Sequence, residues 1–145
     1  MSGKLRVVLD TNVLISAFIS KKSKSPDKIY QKIKAQKIIN VTSVGIIEEV
    51  EEVINRDYIA KNYNLRAEQR KRFIEELAAI SVVLAPKLQI KAVEDDPDDD
   101  KFLSAAVEGE ADYIVSGDRH LLNLGKYANI PILPPRDFAK ILAKI

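Results

Sequence analysis

Cysteine is absent from this 145-residue chain, and histidine occurs once. Without cysteine there is no disulfide scaffold, no thiolate nucleophile and no cysteine-bound zinc or iron–sulfur site. One histidine excludes a multi-histidine metal site within a single chain. The five glycines form no phosphate-cradling loop of the P-loop or dinucleotide type. No apolar run approaches the roughly 18 residues of a membrane span. The stretch after Met1-Ser2-Gly3-Lys4 stops at Asp10, which does not fit a signal peptide, so a cytoplasmic protein without a membrane partner is expected. A dominant charge sign is missing too. Twenty-three Lys and Arg stand against twenty-one Asp and Glu, a net +2 that argues against a protein that coats nucleic acid by bulk basicity. What remains is 46% apolar and 30% charged, the profile of a soluble globular protein, with length for one domain over residues 1–145.

Periodicity divides the chain into alternating elements. Short, largely apolar and β-branched runs at 5–9, 38–41, 81–84, 113–115 and 130–133 read as five strands. Between them, Ile29, Tyr30 and Ile33 share one helical face. Ile46, Ile47, Val50, Val53 and Ile54 share another, capped by Thr42-Ser43. Ala67 to Ala79 is helical with Phe73, Ile74 and Leu77 inward. Ser25-Pro26 and Pro135 read as helix starts, Ser25 as the N-cap of its helix, and 55–64 is irregular, with a short helical turn as the alternative. Strands alternating with helices predict an α/β domain around a mainly parallel sheet.

The acids fall where such a sheet binds ligands, beyond the carboxyl ends of its strands. Asp10 follows the first strand and Asp118 the fourth, so both carboxylates enter one crevice if those strands are neighbours. The plain alternative is that each Asp caps the helix after it. On the third helix Glu49 borders the apolar stripe and Glu48 points to the far face. Glu51 lies on the other border, so the geometry favours Glu49 without singling it out. In the run Glu94-Asp95-Asp96-Pro97-Asp98-Asp99-Asp100, Asp99 is in phase with Phe102, Leu103 and Ala106, while Asp100 sits to the side. Asp96 before Pro97 suits a helix N-cap. Capping accounts for one or two of these acids; a cation or a cationic partner would relieve the repulsion among six in seven residues, the plain alternative being a solvated loop. A carboxylate set with no histidine or thiol suits Mg²⁺ or Mn²⁺ rather than zinc, and points to metal-assisted displacement at phosphorus.

Four blocks in order resemble the PIN-domain nucleases, in the branch that includes toxins of VapC-like toxin–antitoxin pairs. They are Val7-Val8-Leu9-Asp10-Thr11-Asn12-Val13-Leu14; Ser43 followed by Glu49-Val50-Glu51-Glu52-Val53-Ile54; Asp96-Pro97-Asp98-Asp99-Asp100-Lys101-Phe102-Leu103; and Ala111-Asp112-Tyr113-Ile114-Val115-Ser116-Gly117-Asp118. The resemblance implies a Rossmann-like, three-layer PIN domain with a five-stranded sheet in the order 3-2-1-4-5, and Mg²⁺- or Mn²⁺-dependent cleavage of RNA. Carried over by position, Asp10, Glu49, Asp99 and Asp118 are the catalytic, metal-holding acids, with Asp96 accessory and Asp100 the alternative to Asp99. Asn12 and Ser116 become polar neighbours that orient a carboxylate, a water or the scissile phosphate; Ser116 stands where the family often has Thr. A cognate antitoxin and a homodimer are the partners implied besides RNA.

Other chemistries fit less well. Haloacid-dehalogenase phosphohydrolases need a second acid two positions after the first, where this chain has Asn12. A Ser-His-Asp hydrolase would have to use His120, two residues from Asp118, which reads as a surface or capping residue. A housekeeping RNA-processing enzyme and an inactive PIN-like binding module are the alternatives within the fold. Substrate contact is expected from Lys21, Lys22, Lys24, Lys28, Lys32, Lys34 and Lys37, or from Arg56, Lys61, Arg66, Arg70, Lys71 and Arg72. Six of the twenty-one acids lie in the single run at 94–100, leaving fifteen against twenty-three bases elsewhere, or +8. The modest net charge is the sum of an acidic centre and a basic remainder.

Overall fold

The computed structural model describes residues 3–19, 24–85 and 99–145. Its central strand, β1 (Arg6–Leu9), is buried at Val7, Val8 and Leu9 in succession, with no inside–outside alternation. That pattern belongs to a strand covered on both faces, as in parallel sheets. β1 pairs in parallel with β2 (Ile39–Ser43) and β4 (Tyr113–Val115). β2 pairs in parallel with β3 (Ser81–Leu84), and β4 with β6 (Ile130–Leu133). Helices cover this sheet: α1 (Thr11–Ile19), α2 (Ser25–Lys34), α3 (Val44–Ile54), α4 (Asp57–Asn62), α5 (Ala67–Ile80), α6 (Asp100–Glu108), α7 (Arg119–Leu124) and α8 (Pro135–Leu142). The connections from β1 to β2 and from β3 to β4 run in opposite directions across the sheet. Right-handed crossovers therefore place their helices on opposite faces. α6 lies across β1, β2 and β4, while α1, α2, α3, α5 and α8 pack in succession against one another.

The sheet order is β3-β2-β1-β4-β6-β5. The expected order 3-2-1-4-5 holds for the parallel strands, the expected fifth being β6. A sixth strand, β5 (Lys126–Tyr127), adds an antiparallel edge that the sequence reading lacked. The hairpin joining β5 to β6 turns on Ala128 and Asn129, both at positive φ (50° and 66°). Two successive left-handed residues make the tight turn that matches strand twist, but Ala-Asn carries none of the glycine that usually advertises it.

Local chemistry explains most boundaries. The Ser43 hydroxyl accepts from the Ile46 amide at 3.2 Å and caps α3 as expected. α2 begins at Ser25 with Pro26 in its first turn, and its N-cap is Lys24 rather than Ser25. The helix expected from the acidic run is described from Asp100, with Asp99 as N-cap; Asp96 lies outside the described residues. Phe18 stacks on Phe73 at 4.4 Å between ring centroids, with Tyr30 tilted against the same ring, joining α1, α2 and α5. Gly109 ends α6 so close to β2 that a Cβ there would stand 2.3 Å from Val41 Cγ1. Among the described residues no helix is long and apolar enough to cross a membrane.

Candidate active site

The sheet reverses its order of construction between β1 and β4, and the residues just past these two strands meet. Leu9 is in register with Val115, and the Asp10 amide donates to the Val115 carbonyl at 3.0 Å, carrying the ladder one residue further. Asp10 and Ser116 are thereby brought side by side. The Asp10 Oδ1 accepts from the Val13 amide at 2.8 Å, which caps the first turn of α1. Its Oδ2 accepts from the Ser116 hydroxyl. Ser116 Oγ in turn accepts from the Asp118 amide at 2.9 Å, and Asp118 Oδ1 accepts from the His120 amide at 2.7 Å to cap α7. Both aspartates are helix caps and cleft residues at once; the two readings of an Asp after a strand are not alternatives in this fold.

A cleft of about 460 Å³ opens over this point. Asp10, Glu49, Asp99 and Asp118 all line it, from four different parts of the chain: the β1–α1 junction, the second turn of α3, the start of α6 and the β4–α7 junction. Asp10 and Asp99 are buried; Glu49 and Asp118 are half-buried. Asp99 lines the cleft and Asp100 does not, in keeping with their helical phase. Asp99 heads the buried stripe continued by Phe102 and Leu103, while Asp100 is half-buried and outside the cleft lining. Asn12 is exposed and lines the cleft. Ser116 is fully buried and lies beneath it, reaching the acids from behind.

Several cleft residues were not anticipated as such. Glu48, expected to face away, is exposed as predicted but still reaches the rim, along with Glu52; Arg56, expected as a substrate contact, stands beside them. The cleft extends along α3 by more than one turn, so residues a turn apart and on the shoulder of the helix share it. Arg56 is held by Glu52 through Nε at 3.0 Å and Nη2 at 2.8 Å. Lys101 also lines the cleft, with Nζ 2.5 Å from Glu49 Oε2. The visible signal for Lys101 was a lone cation immediately after a run of acids, on the first turn of a helix that carries one of them.

Burial pushes the Asp10 carboxyl above the usual carboxylate range, and the nearby charge of Asp118 adds to the rise. The Ser116 hydroxyl and the backbone amides of Val13 and Gly117 pull the other way by favouring the charged form. A carboxylate that is costly to ionise, with another beside it, is a place where a cation lowers the energy. Among the described residues the donor set is chemically suited to a hard divalent ion: carboxylate oxygens without histidine or thiol, with Asp10 and Asp99 buried, and a buried Glu49 Oε2 whose neighbour is the Lys101 ammonium rather than a well-aligned hydrogen-bond donor. Among the described residues, the carboxylates line one cleft without three of them closing on a common point.

The PIN-domain family model matches residues 6–120, a span that runs from β1 through Asp10, Glu49, Asp99 and Asp118 to His120. The chain is also 33% identical over 130 residues to the uncharacterized protein MJ1680 of Methanocaldococcus jannaschii, a match covering 88% of this chain and 81% of that one. With the α/β sheet order, the carboxylate cleft at β1 and β4, and a family match over most of its length, the chain belongs to the PIN-domain nuclease family.

Proposed function

We propose that the chain is a Mg²⁺- or Mn²⁺-dependent endoribonuclease whose catalytic acids are Asp10, Glu49, Asp99 and Asp118. The observation that carries this reading is their meeting in one cleft at the carboxyl ends of β1 and β4. In this reading these four carboxylates would hold the divalent ion, with Asp96 an accessory acid. A divalent ion so held supplies Lewis acidity toward a phosphodiester and makes water a better nucleophile at neutral pH. The chain's own contribution is orientation. Ser116 fixes the rotamer of Asp10 and the backbone of Asp118 together, so the two acids from β1 and β4 keep one spacing. The caps made by Asp10 on Val13 and by Asp118 on His120 lock the same side chains from the other side. Asn12, exposed at the cleft wall, orients the phosphate or an attacking water. RNA approaches past Arg56 and the basic residues of α4 and α5.

Purified protein cleaves RNA in Mn²⁺, stops in EDTA, and loses cleavage as Asp10→Asn; full activity in that variant sinks the assignment. RNA binding that survives both EDTA and the acid substitutions, without cleavage, would instead mark a PIN-like binding module.

The finer reading is the toxin of a toxin–antitoxin pair, acting in the cytoplasm as a homodimer and neutralised by a cognate antitoxin protein. It is supported by the likeness of the four motif blocks to that branch. Its test is induction in a host cell. Growth arrest by the native chain, but not by Asp10→Asn, supports it; unimpaired growth with active enzyme favours a housekeeping RNA-processing role.

A further inference from the structure

Among the described residues two cations line the cleft: Arg56 is engaged by Glu52 at the exposed rim, and Lys101 reaches Glu49. The Lys101 ammonium lies 2.5 Å from Glu49 Oε2, with both side chains a little under a third exposed. It also sits 5.7 Å from the ring centre of the buried Phe102, at the foot of the same helix. The contact is close but not aligned as a hydrogen bond, since Oε2 accepts none of good geometry. The oxygen it covers belongs to Glu49, one of the four cleft acids assigned above to the ion. A divalent ion that uses Glu49 therefore competes directly with an ammonium group already in position.

We infer that Lys101 is a mobile cation of this site. It holds Glu49 while the cleft lacks metal, and it passes to a non-bridging oxygen of the phosphodiester when ion and RNA enter. The inference rests on the nuclease reading above. Three features support the exchange. A lysine has a compact charge on a flexible four-carbon stem, so it can leave one oxygen for another several ångströms away without moving the helix. The first turn of α6 starts at Asp100, directly after Asp99, so the stem is anchored beside the ion-holding acids. The two arriving charges, a divalent ion for Glu49 and an anionic phosphate, leave the ammonium repelled at its first partner and attracted to the second.

The test is Lys101→Met in the full chain, with Lys101→Arg as the charge-conserving control and melting in EDTA to establish folding. Mn²⁺ titration without RNA, read by calorimetry or by the loss of free-ion paramagnetic signal, should show Lys101→Met binding about two- to fivefold tighter than the native protein, the scale of one partly exposed ion pair. At saturating Mn²⁺ the same variant should have a raised KM for RNA, with Lys101→Arg recovering much of it. Unchanged or weaker Mn²⁺ binding, or an unchanged KM, overturns the inference. If the native protein binds Mn²⁺ yet leaves RNA intact, the nuclease reading and the phosphate half of the inference fail together. The affinity comparison then still decides whether Lys101 guards Glu49.

Discussion

The Ser116 hydroxyl donates to Oδ2 of Asp10, a residue 106 positions earlier in the chain. Ser116 Oγ in turn accepts from the Asp118 amide at 2.9 Å, so one buried side chain ties together two acids at the ends of neighbouring strands. Ser116→Ala removes the donor to Asp10 and leaves the Asp118 amide without its acceptor. Leaving buried polar groups unpaired costs about 1–3 kcal/mol. For a chain of this size that lowers the melting temperature by several degrees. The freed Asp10 also ionises less readily, because a hydrogen bond to its charged form is gone. Cleavage should fall by roughly ten- to a hundredfold, the usual effect of removing a group that orients an ion-holding side chain. Cleavage assays over a range of Mn²⁺ concentrations, with a thermal melt of the same sample, check both.

Asp10 should make the metal-free protein less stable as pH rises. Its folded-state pKa is raised above the ordinary 3.8, chiefly by burial. The folded state therefore holds the proton more tightly than the unfolded chain does. The associated stability is fully present below the unfolded value and is lost as pH climbs through the raised folded value. Asp10→Asn cannot ionise and escapes that loss. In EDTA its melting temperature should match the native protein at acid pH and exceed it by a few degrees near neutrality, while activity is abolished. A native protein that remains equal to the variant at neutral pH would show that the hydrogen bonds from Ser116, Val13 and Gly117 outweigh burial.

Metal removal gives a related but separate forecast. With several carboxylates around one cleft, a divalent ion that binds the folded chain raises its stability by mass action. Added Mn²⁺ should therefore raise the melting temperature of the native protein in a concentration-dependent way, and EDTA should reverse it. Asp118→Asn should start from a higher metal-free melting temperature, because it removes a charge beside Asp10, and should respond less to Mn²⁺. Differential scanning fluorimetry across a Mn²⁺ series reads both quantities. Identical Mn²⁺ responses of the two proteins would count against Asp118 as part of the shared site.

Much of this arrangement could be read from residue order because it is governed by local rules. An apolar run ending in Asp places a carboxylate at a strand's carboxyl end, and helical phase separates Asp99 from Asp100 without knowledge of the fold. The parallel strands were legible for the same reason: strands such as β1, covered on both faces, are written as unbroken apolar runs. What escaped depends on tertiary placement. The Lys101–Glu49 pair joins α6 to α3, and no periodicity within either helix announces it. Glu48 reaches the rim despite its phase because the cleft follows the shoulder of α3. β5 is two residues long and its turn lacks glycine, so neither length nor composition marks it. Asp96 lies outside the described residues, and its part in the site stays with the proposal.

Two backbone positions offer stability changes of opposite sign, remote from the carboxylates. Ala128 opens the β5–β6 turn at φ 50°, a conformation that crowds a Cβ against the chain and that glycine adopts freely. Ala128→Gly relieves that crowding, although it also loosens the unfolded chain, which costs about 0.4–1 kcal/mol. With a left-handed penalty of roughly 1–2 kcal/mol, the balance favours the glycine, and a small rise in melting temperature is expected. Gly109 is the converse. Its φ is −87°, within reach of any residue, so torsion does not require glycine there. Space does: an added Cβ would stand 2.3 Å from Val41 Cγ1 and 2.8 Å from the Ala105 carbonyl oxygen. The Val41 methyl belongs to a fully buried strand residue and the oxygen to the helix backbone, so neither yields without moving β2 or α6. The Gly109 carbonyl also accepts the Arg6 Nε at 2.8 Å, which fixes this end of α6 to the start of β1. Gly109→Ala should cost about 1–3 kcal/mol through overpacking. Urea unfolding of the two variants should move the midpoint up for Ala128→Gly and down for Gly109→Ala. A Gly109→Ala midpoint equal to the native one would mean that α6 is free to shift away from β2.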